Sequence, residues 1–567
     1  MKRLFGLAGG PLDAPERFAN DRWEVALDGA VHNLDAATLP ALIDEHGVAG
    51  ALERCNGEFA LAAADRRDGT TWLARDRVGV RFLYYAHAGD RLAFAARPRP
   101  LLGLDWVSKE IDPVYAGLVA GSHYRTFDND QSSSPYRDIR QVPPGHLLRF
   151  AAGDVRVEPW WQLTEQEELD EPEDELAERY RELLLDAVGI RVASAPSPAW
   201  TLSGGMDSST VLACAVQSLG ARQHAFSSVY GDSEYDESEE IETMLDAAVE
   251  QWHAIAVDEP DVLGLVEEMI DAHDEPVVTA TWLSHHVVCG EAAAGGFRTM
   301  FGGLGGDELN AGEYEYFFYR FADLRAAGDE DALRHEVDEW KRHHDHPVFR
   351  KDWDVMEAGL ARWVDFGVPG RILPDRGRIE RYANAVNRDF FDVTQWDPVM
   401  DRPFSSYLKN RTYQDIFRET APPCLRAEDR QTAARGMRNM DPFFDHRLIE
   451  LMFRVPGRLK IEDGVTKRLL RRATEGLLPE ETRTRIKKTG WNAPANDWFS
   501  GGGRDVLLEL VGDPGFQAGH IYDLDEVRRL IDEHDEIVRT GRVAENHMMF
   551  LWQLVNVEQW LRWLARV

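Results

Sequence analysis

Cysteine and lysine are both scarce in this chain of 567 residues. Its four cysteines, Cys55, Cys214, Cys289 and Cys424, stand at least 75 positions apart with no C-x-x-C pair. That spacing excludes a zinc knuckle, a dithiol redox motif and a disulfide scaffold, and leaves the thiols as small core residues. There is no run of about 18 apolar residues, so a membrane-spanning helix is excluded. Residues 1–10 carry two basic side chains but no apolar stretch of signal-peptide length, and a cytoplasmic location is expected. Only nine of the 64 basic residues are lysine, against 99 acids and a net charge of −35. Such a field repels phosphate polymers and anionic lipid, so neither nucleic acid nor a membrane is expected as a partner. An acidic, lysine-poor surface fits adaptation to high salt and fits a GC-rich genome that writes arginine for lysine equally well. Lys460, Lys467, Lys487 and Lys488 place four of the nine lysines within 29 positions.

With 44% apolar residues and 17 tryptophans the chain has material for large cores. Up to about residue 150, short alternating runs at 23–27, 59–64, 71–74, 82–85 and 91–95 predict an antiparallel β-rich domain. The acidic stretch 165–175 reads as a linker. Beyond it, Leu176, Tyr180, Leu183, Leu184 and Ala187 recur at helical spacing. Helical segments then alternate with strands expected at 199–202, 225–230, 253–257 and 297–301, the alternation of a parallel sheet covered by helices. The remainder reads as mostly helical, ending in a helix over 545–564.

Ser203-Gly204-Gly205-Met206-Asp207-Ser208-Ser209 falls between the strand at 199–202 and a helix expected to begin near Thr210. Two glycines let the backbone turn tightly and approach a ligand, while hydroxyls and free N–H groups at a helix start face it. The segment is an anion cradle, without the Gly-Lys-Ser ending of a Walker loop and without G-x-G-x-x-G spacing.

This loop resembles the pyrophosphate loop of N-type ATP pyrophosphatases, specifically of the asparagine synthetase family. Phe301-Gly302-Gly303-Leu304-Gly305-Gly306-Asp307-Glu308 resembles that family's second glycine-rich loop, and Pro442-Phe443-Phe444-Asp445-His446-Arg447 its C-terminal signature. Lys488-Thr489-Gly490-Trp491, after Leu478-Pro479 and Arg485, resembles the segment carrying its catalytic lysine. Asn56-Gly57-Glu58-Phe59 and the segment from Ala74 through Arg75-Asp76-Arg77 to Val80 match its amino domain. The resemblance implies an α/β plus α+β architecture. An Ntn-type antiparallel β-sandwich over 1–160 would precede a PP-loop domain over 170–567, built on a parallel, adenine-nucleotide alpha hydrolase-like sheet with a mostly helical C-terminal part. It also implies the chemistry. A carboxylate attacks the α-phosphate of ATP, and an amine captures the resulting acyl-adenylate. Leu202, Ser203, Gly204, Gly205, Asp207, Ser208, Ser228, Gly302 and Gly303 would lie along the nucleotide and its pyrophosphate. Asp207 and Asp307 suit Mg²⁺, which takes few protein oxygens and keeps phosphates and waters as its other ligands. Lys488, favoured over Lys487 by its spacing to Gly490-Trp491, would offset charge in the transition states. Glu275, in Asp274-Glu275-Pro276, matches the position of a carboxylate near the attacking amine.

Two segments depart from the family. Where glutamine-dependent members carry cysteine after the initiator methionine, this chain has Lys2, and Asp28-Gly29-Ala30 stands where they carry a glutamine-binding Asn-Gly-Glu. An amidase without nucleophile or oxyanion support is not expected to release ammonia. In the acceptor half, Arg438 and Met440 replace an acid and an arginine, which puts aspartate in doubt as substrate. The reading is therefore an AMP-forming carbon–nitrogen ligase that joins a small-molecule or peptide carboxylate to an amine. Aspartate-to-asparagine synthesis with ammonia or a nitrogen-supplying partner, lasso-peptide or β-lactam-type cyclisation with a precursor, and a nucleotide-binding pseudoenzyme stand as alternatives. His343-His344-Asp345-His346 reads as the charged end of a helix, and the run Tyr314, Tyr316, Phe317, Phe318, Tyr319 as helix packing with one face toward an acceptor pocket.

Overall fold

The computed structural model describes residues 2–231, 235–345, 350–486, 493–542 and 544–567. Two antiparallel sheets come first. One runs Asp154–Pro159, His146–Ala151, Thr71–Arg75, Gly57–Asp65, Trp23–Val31, Glu16–Ala19. The other runs Leu12–Asp13, Phe5–Leu7, Arg91–Ala95, Tyr84–Ala88, Ile139–Gln141. Side-chain alternation sorts these strands into layers. Ala26, Ala60, Ala62, Tyr85, Leu92 and Phe94 fill the space between the sheets. Val25, Leu27, Phe59 and Leu61 face the outer helix Leu39–Glu53. Tyr84, Ala86, Ala93 and Ala95 point the other way, into the core of the following half. The strand expected at 82–85 starts two residues later because the preceding turn wraps around Asp76, whose carboxylate accepts the N–H groups of Gly79 (2.7 Å), Val80 (3.0 Å) and Arg81 (2.9 Å).

The second half is built on a parallel sheet of β1 (Pro198–Thr201), β2 (Gln223–Val229), β3 (Val249–Ala256), β4 (Thr299–Phe301) and β5 (Arg438–Met440) in the order β3-β2-β1-β4-β5. β5 has only three residues, Arg-Asn-Met, too short and too polar to stand out by pattern. The order reverses direction at β1, so a crevice opens beyond the carboxyl ends of β1 and β4, where α/β sheets bind ligands. The helices used below are α1 (Glu173–Ala193), α2 (Met206–Leu219), α3 (Val262–His273), α4 (Thr281–Ala294), α5 (Gly306–Asn310), α6 (Ala421–Ala434), α7 (Arg468–Ala473) and α8 (Met548–Leu564). A helical lobe between α5 and α6 has its own core around Phe317, Phe321, Trp340 and Leu360. The acidic stretch 165–175 is fastened down: Glu165 accepts from the backbone of Ser405 (2.9 Å), Glu168 pairs with Lys409 (2.6 Å), and Leu169 bonds Arg454. α8 begins at Met548, three residues later than expected, and its Trp552 indole and Asn556 amide hold the backbone of Val277. No described helix is long and apolar enough to cross a membrane.

The halves meet through buried charge. Arg191 of α1 donates to Glu58 (2.7 Å) and Asp445 (3.0 Å), and Asn56 donates to Asp445 (3.1 Å). Burial would raise Glu58, but Arg191 and His32 outweigh it and bring its carboxyl down to about 2.

Candidate active site

α2 begins at Met206, four residues before the expected start, which puts Asp207 and Ser208 in its first turn. A helix start has N–H groups that no carbonyl of its own can reach, so the turn faces the crevice as an anion site. The loop is braced from within: Gly205 N–H donates to Ser203 Oγ (3.2 Å), Ser203 N–H to Ser208 Oγ (3.1 Å), and Ser209 Oγ to the Gly205 carbonyl (2.8 Å). From outside, Arg485 donates to the Gly204 carbonyl (2.8 Å) and Glu237 accepts the Gly204 N–H (3.3 Å).

The second glycine-rich loop packs directly on the first. A Cβ on Gly303 would fall 2.5 Å from Ser208 N, and one on Gly306 2.3 Å from Asp207 Cγ. A Cβ on Gly312 would fall 2.1 Å from both Asp307 Oδ1 and Lys467 Cε. Only a chain without side chains at these points lets Asp207 and Asp307 approach one another. Lys467 Nζ lies between them, 2.6 Å from Asp207 Oδ2 and 2.7 Å from Asp307 Oδ1. Lys467 caps α7 in the left-handed region at φ 58°. A side chain makes that conformation costly, and it is retained where the surroundings impose it. Two carboxylates in a cradle closed to any Cβ, facing a helix start, form the sparse oxygen donor set that Mg²⁺ accepts alongside phosphates and waters.

A cavity of about 1200 Å³ joins these parts. Leu202, Ser203, Gly204, Gly205, Asp207, Ser208, Ser228, Gly303 and Asp307 line it, with Lys467, Arg471 and Arg485 as cations beside the loop. Gly302 does not line it. It is buried one layer behind, where a Cβ would come 3.2 Å from Glu428 Oε1 and 3.6 Å from Asp441 Oδ1. Glu275 is not on the wall either. It sits fully buried between the two halves, paired with Arg426, which also holds Asp128 (2.7 Å). Burial pushes the Glu275 carboxyl up to about 7 against the pull of Arg426. Asp274, left-handed at the end of α3, accepts from Arg97 (2.8 Å). Lys488, like Lys487, lies outside the described residues, although Arg485, Ile486 and Ala493 on either side of that segment line the cavity.

Glu428 of α6 does reach the cavity, 7% exposed, with Asp441 fully buried behind it. Burial and the adjoining Asp441 push Glu428 well above the ordinary carboxyl range. Asn439 donates to Asp441 (2.7 Å) and accepts from Arg81 of the first half (2.8 Å), which anchors the pair. Sequence reading missed Glu428 and Lys467: the first is an ordinary helix acid by pattern, and the second is marked only by the rarity of lysine. The far wall carries Trp282, Tyr314, Phe317, Met548 and Met549. Tyr316, Phe317, Phe318 and Tyr319 are all buried in the lobe core, so of the aromatic run only Tyr314, ahead of the helix, and Phe317 reach the cavity. His343, His344 and Asp345 line the cavity at the end of their helix, whereas His346 lies outside the described residues.

In the first half, Lys2 pairs with Asp13 on the surface. Arg3 donates to Asp28 (2.8 Å) and to Asp429 of α6 (3.0 Å), and Asp28 also accepts the Leu4 N–H (2.9 Å). All four cysteines are free thiols, Cys55, Cys214 and Cys289 buried and Cys424 partly so.

A family model described as Asparagine synthase matches residues 179–562, and one described as Glutamine amidotransferase domain matches residues 30–161. The chain is similar to glutamine-hydrolyzing asparagine synthetase 1 of Bacillus subtilis (strain 168), at 23% identity over 95% of this chain and 84% of that protein. It is similar to glutamine-hydrolyzing asparagine synthetase 3 of the same organism, at 23% identity over 77% of this chain and 67% of that protein. It also resembles amidase chry2 of Gibberella zeae, at 23% identity over 85% of this chain and 76% of that protein.

Proposed function

From the premise that the chain belongs to the asparagine synthase family, we propose that it is an ATP-dependent, AMP-forming amide ligase that activates a carboxylate as its adenylate and passes it to an amine, without hydrolysing glutamine. One observation carries this reading. The loop after β1 and the loop after β4 converge on a single crevice, with Asp207 and Asp307 facing each other across it.

Each group then has a task set by its place. The N–H groups of the first turn of α2, with Ser203 and Ser208, hold the β- and γ-phosphates, and Lys467, Arg471 and Arg485 supply positive charge as pyrophosphate departs. Mg²⁺ held by Asp207 and Asp307 would neutralise the phosphate oxygens. The acyl oxygen attacks the α-phosphorus and the bond to the bridging oxygen breaks; the amine nitrogen then attacks the acyl carbon and AMP leaves with the bonding pair. Glu428, rather than Glu275, is the carboxyl on the cavity wall, and with Asp441 it takes the proton that the amine loses. Lys488 keeps the role that its motif implies.

The cavity exceeds the roughly 300–1,000 Å³ that one small ligand fills, so nucleotide and acyl donor fit together. Its wall of Trp282, Tyr314, Phe317 and two methionines favours a donor with apolar bulk over aspartate. In the first half, the position of the nucleophile is held by an exposed lysine, and Asp28 is engaged by Arg3 and Leu4. That leaves this half as the platform that positions Arg81 and Arg3 against α6. ATP–pyrophosphate exchange screened over a panel of carboxylates tests the proposal. Exchange dependent on one acid class and lost in Lys488→Ala is expected, and ATP cleavage to ADP and phosphate instead would refute it.

A further inference from the structure

Lys467 lies within 3 Å of both carboxylates that suit the metal, and its placement is costly. It adopts left-handed backbone, its side chain is 7% exposed, and room for its Cε exists only because residue 312 is glycine. The turn that delivers it is itself braced, since Glu336 of the lobe accepts the N–H groups of Asp463 (2.7 Å) and Gly464 (3.2 Å). Arg471, one turn along α7, donates to the Thr466 carbonyl (2.9 Å) and the Arg485 carbonyl (2.9 Å), tying Lys467 to the segment that grips Gly204.

We propose that Lys467 is a tethered stand-in for the divalent cation. With the crevice empty its ammonium holds Asp207 and Asp307 together and closes their site to free metal; when metal arrives with a triphosphate, the ammonium moves onto the phosphates. This rests on the ligase reading for the identity of the phosphate ligand, but not for the competition itself. Two carboxylates a few ångströms apart repel one another, and a cation between them removes that repulsion. A 2+ ion between them would meet the ammonium at like-charge contact, so both cannot occupy the gap. Free metal therefore competes with a neighbour of high effective concentration, whereas metal bound to pyrophosphate brings new acceptors for the displaced ammonium.

The experiment measures Mn²⁺ binding by paramagnetic resonance of the free ion, with and without inorganic pyrophosphate. The proteins are wild type, Lys467→Met and Lys467→Gln, each checked for native circular dichroism. Without pyrophosphate, the neutral variants are expected to bind Mn²⁺ at least tenfold more tightly than wild type. With saturating pyrophosphate the order reverses, the variants binding at least tenfold more weakly. A folded variant whose affinity for free Mn²⁺ equals or falls below that of wild type overturns the proposal. If neither variant folds, the ammonium is purely structural and the proposal is likewise overturned. If pyrophosphate leaves Mn²⁺ binding by wild type unaltered, the ligase reading fails while the free-metal comparison still decides the role of Lys467.

Discussion

Gly306 offers a way to move Asp207, one carboxylate of the proposed metal site. It is the first residue of α5, buried, in helical backbone that alanine adopts at no cost. A methyl group there would lie 2.3 Å from Asp207 Cγ and 2.5 Å from its Oδ1. Ordinary contact requires about 3.4 Å or more, so the carboxylate must retreat by roughly 1 Å. Asp207 Cβ also lies 2.7 Å away, and no rotation of the side chain moves it, so the first turn of α2 must give as well. Gly306→Ala is therefore expected to lose about 1–3 kcal/mol of stability by overpacking, read as a lowered melting temperature. A displacement of 1 Å at a metal-bearing carboxylate costs on the order of 100-fold in rate. Pyrophosphate release with the best acid should fall by that factor, and calorimetric affinity for Mg·ATP should weaken alongside it. Gly303→Ala presses on the same turn more directly, because its methyl would meet backbone, Ser208 N at 2.5 Å and the Asp207 carbonyl carbon at 2.8 Å. Overpacking against atoms that cannot rotate away costs about 1–3 kcal/mol, so this variant should lose stability as well as activity. Should Gly306→Ala turn over within threefold of wild type, Asp207 does not carry the metal.

Arg191→Met takes from Glu58 and Asp445 the buried cation they share, leaving His32 beside Glu58 and Arg447 beside Asp445, and urea unfolding at pH 7 should show a loss of about 3 kcal/mol. Because the folded-state pKa of Glu58 is lowered from 4.5 to about 2, its share of that stability, about 3 kcal/mol, is complete above pH 4.5 and disappears as pH falls toward 2. The gap between wild type and variant should narrow over that window, and a gap constant with pH would contradict the assignment. Glu428→Gln should slow amide formation about 100-fold or more while pyrophosphate exchange persists. Hydroxylamine, which attacks without a base, should restore product, and equal slowing with hydroxylamine would remove Glu428 from proton transfer. Glu275→Gln should act on thermal stability rather than on turnover, since its partner is Arg426 in the interface. Glutamine should support no more product than buffer does, and glutamate release by the purified chain would overturn the reading of the first half.

Much of this was legible in one dimension because the features concerned are local. A glycine pair between an apolar strand and a helix can only be a tight turn at a helix start, and period-two runs can only be strands with two faces. The antiparallel-then-parallel order of sheets, the family, and the gathering of Ser203 to Ser208 with Asp307 at one crevice are all written in motifs of fewer than ten residues. What escaped depends on distance through space. β5 is too short to have a pattern, and Glu428 is an ordinary helix acid until Asp441, 13 residues on, is folded against it. Lys467 lies 260 positions from Asp207, with nothing in the intervening sequence to join them. Glu275 shows the converse: a motif suggests a place near the amine, whereas its observed partner is the buried Arg426, a pairing no local pattern announces. Local steric rules act along the chain and can be read from it. The pairing of charges across a buried gap is a long-range balance of desolvation and attraction, and only the packed structure decides which partners meet.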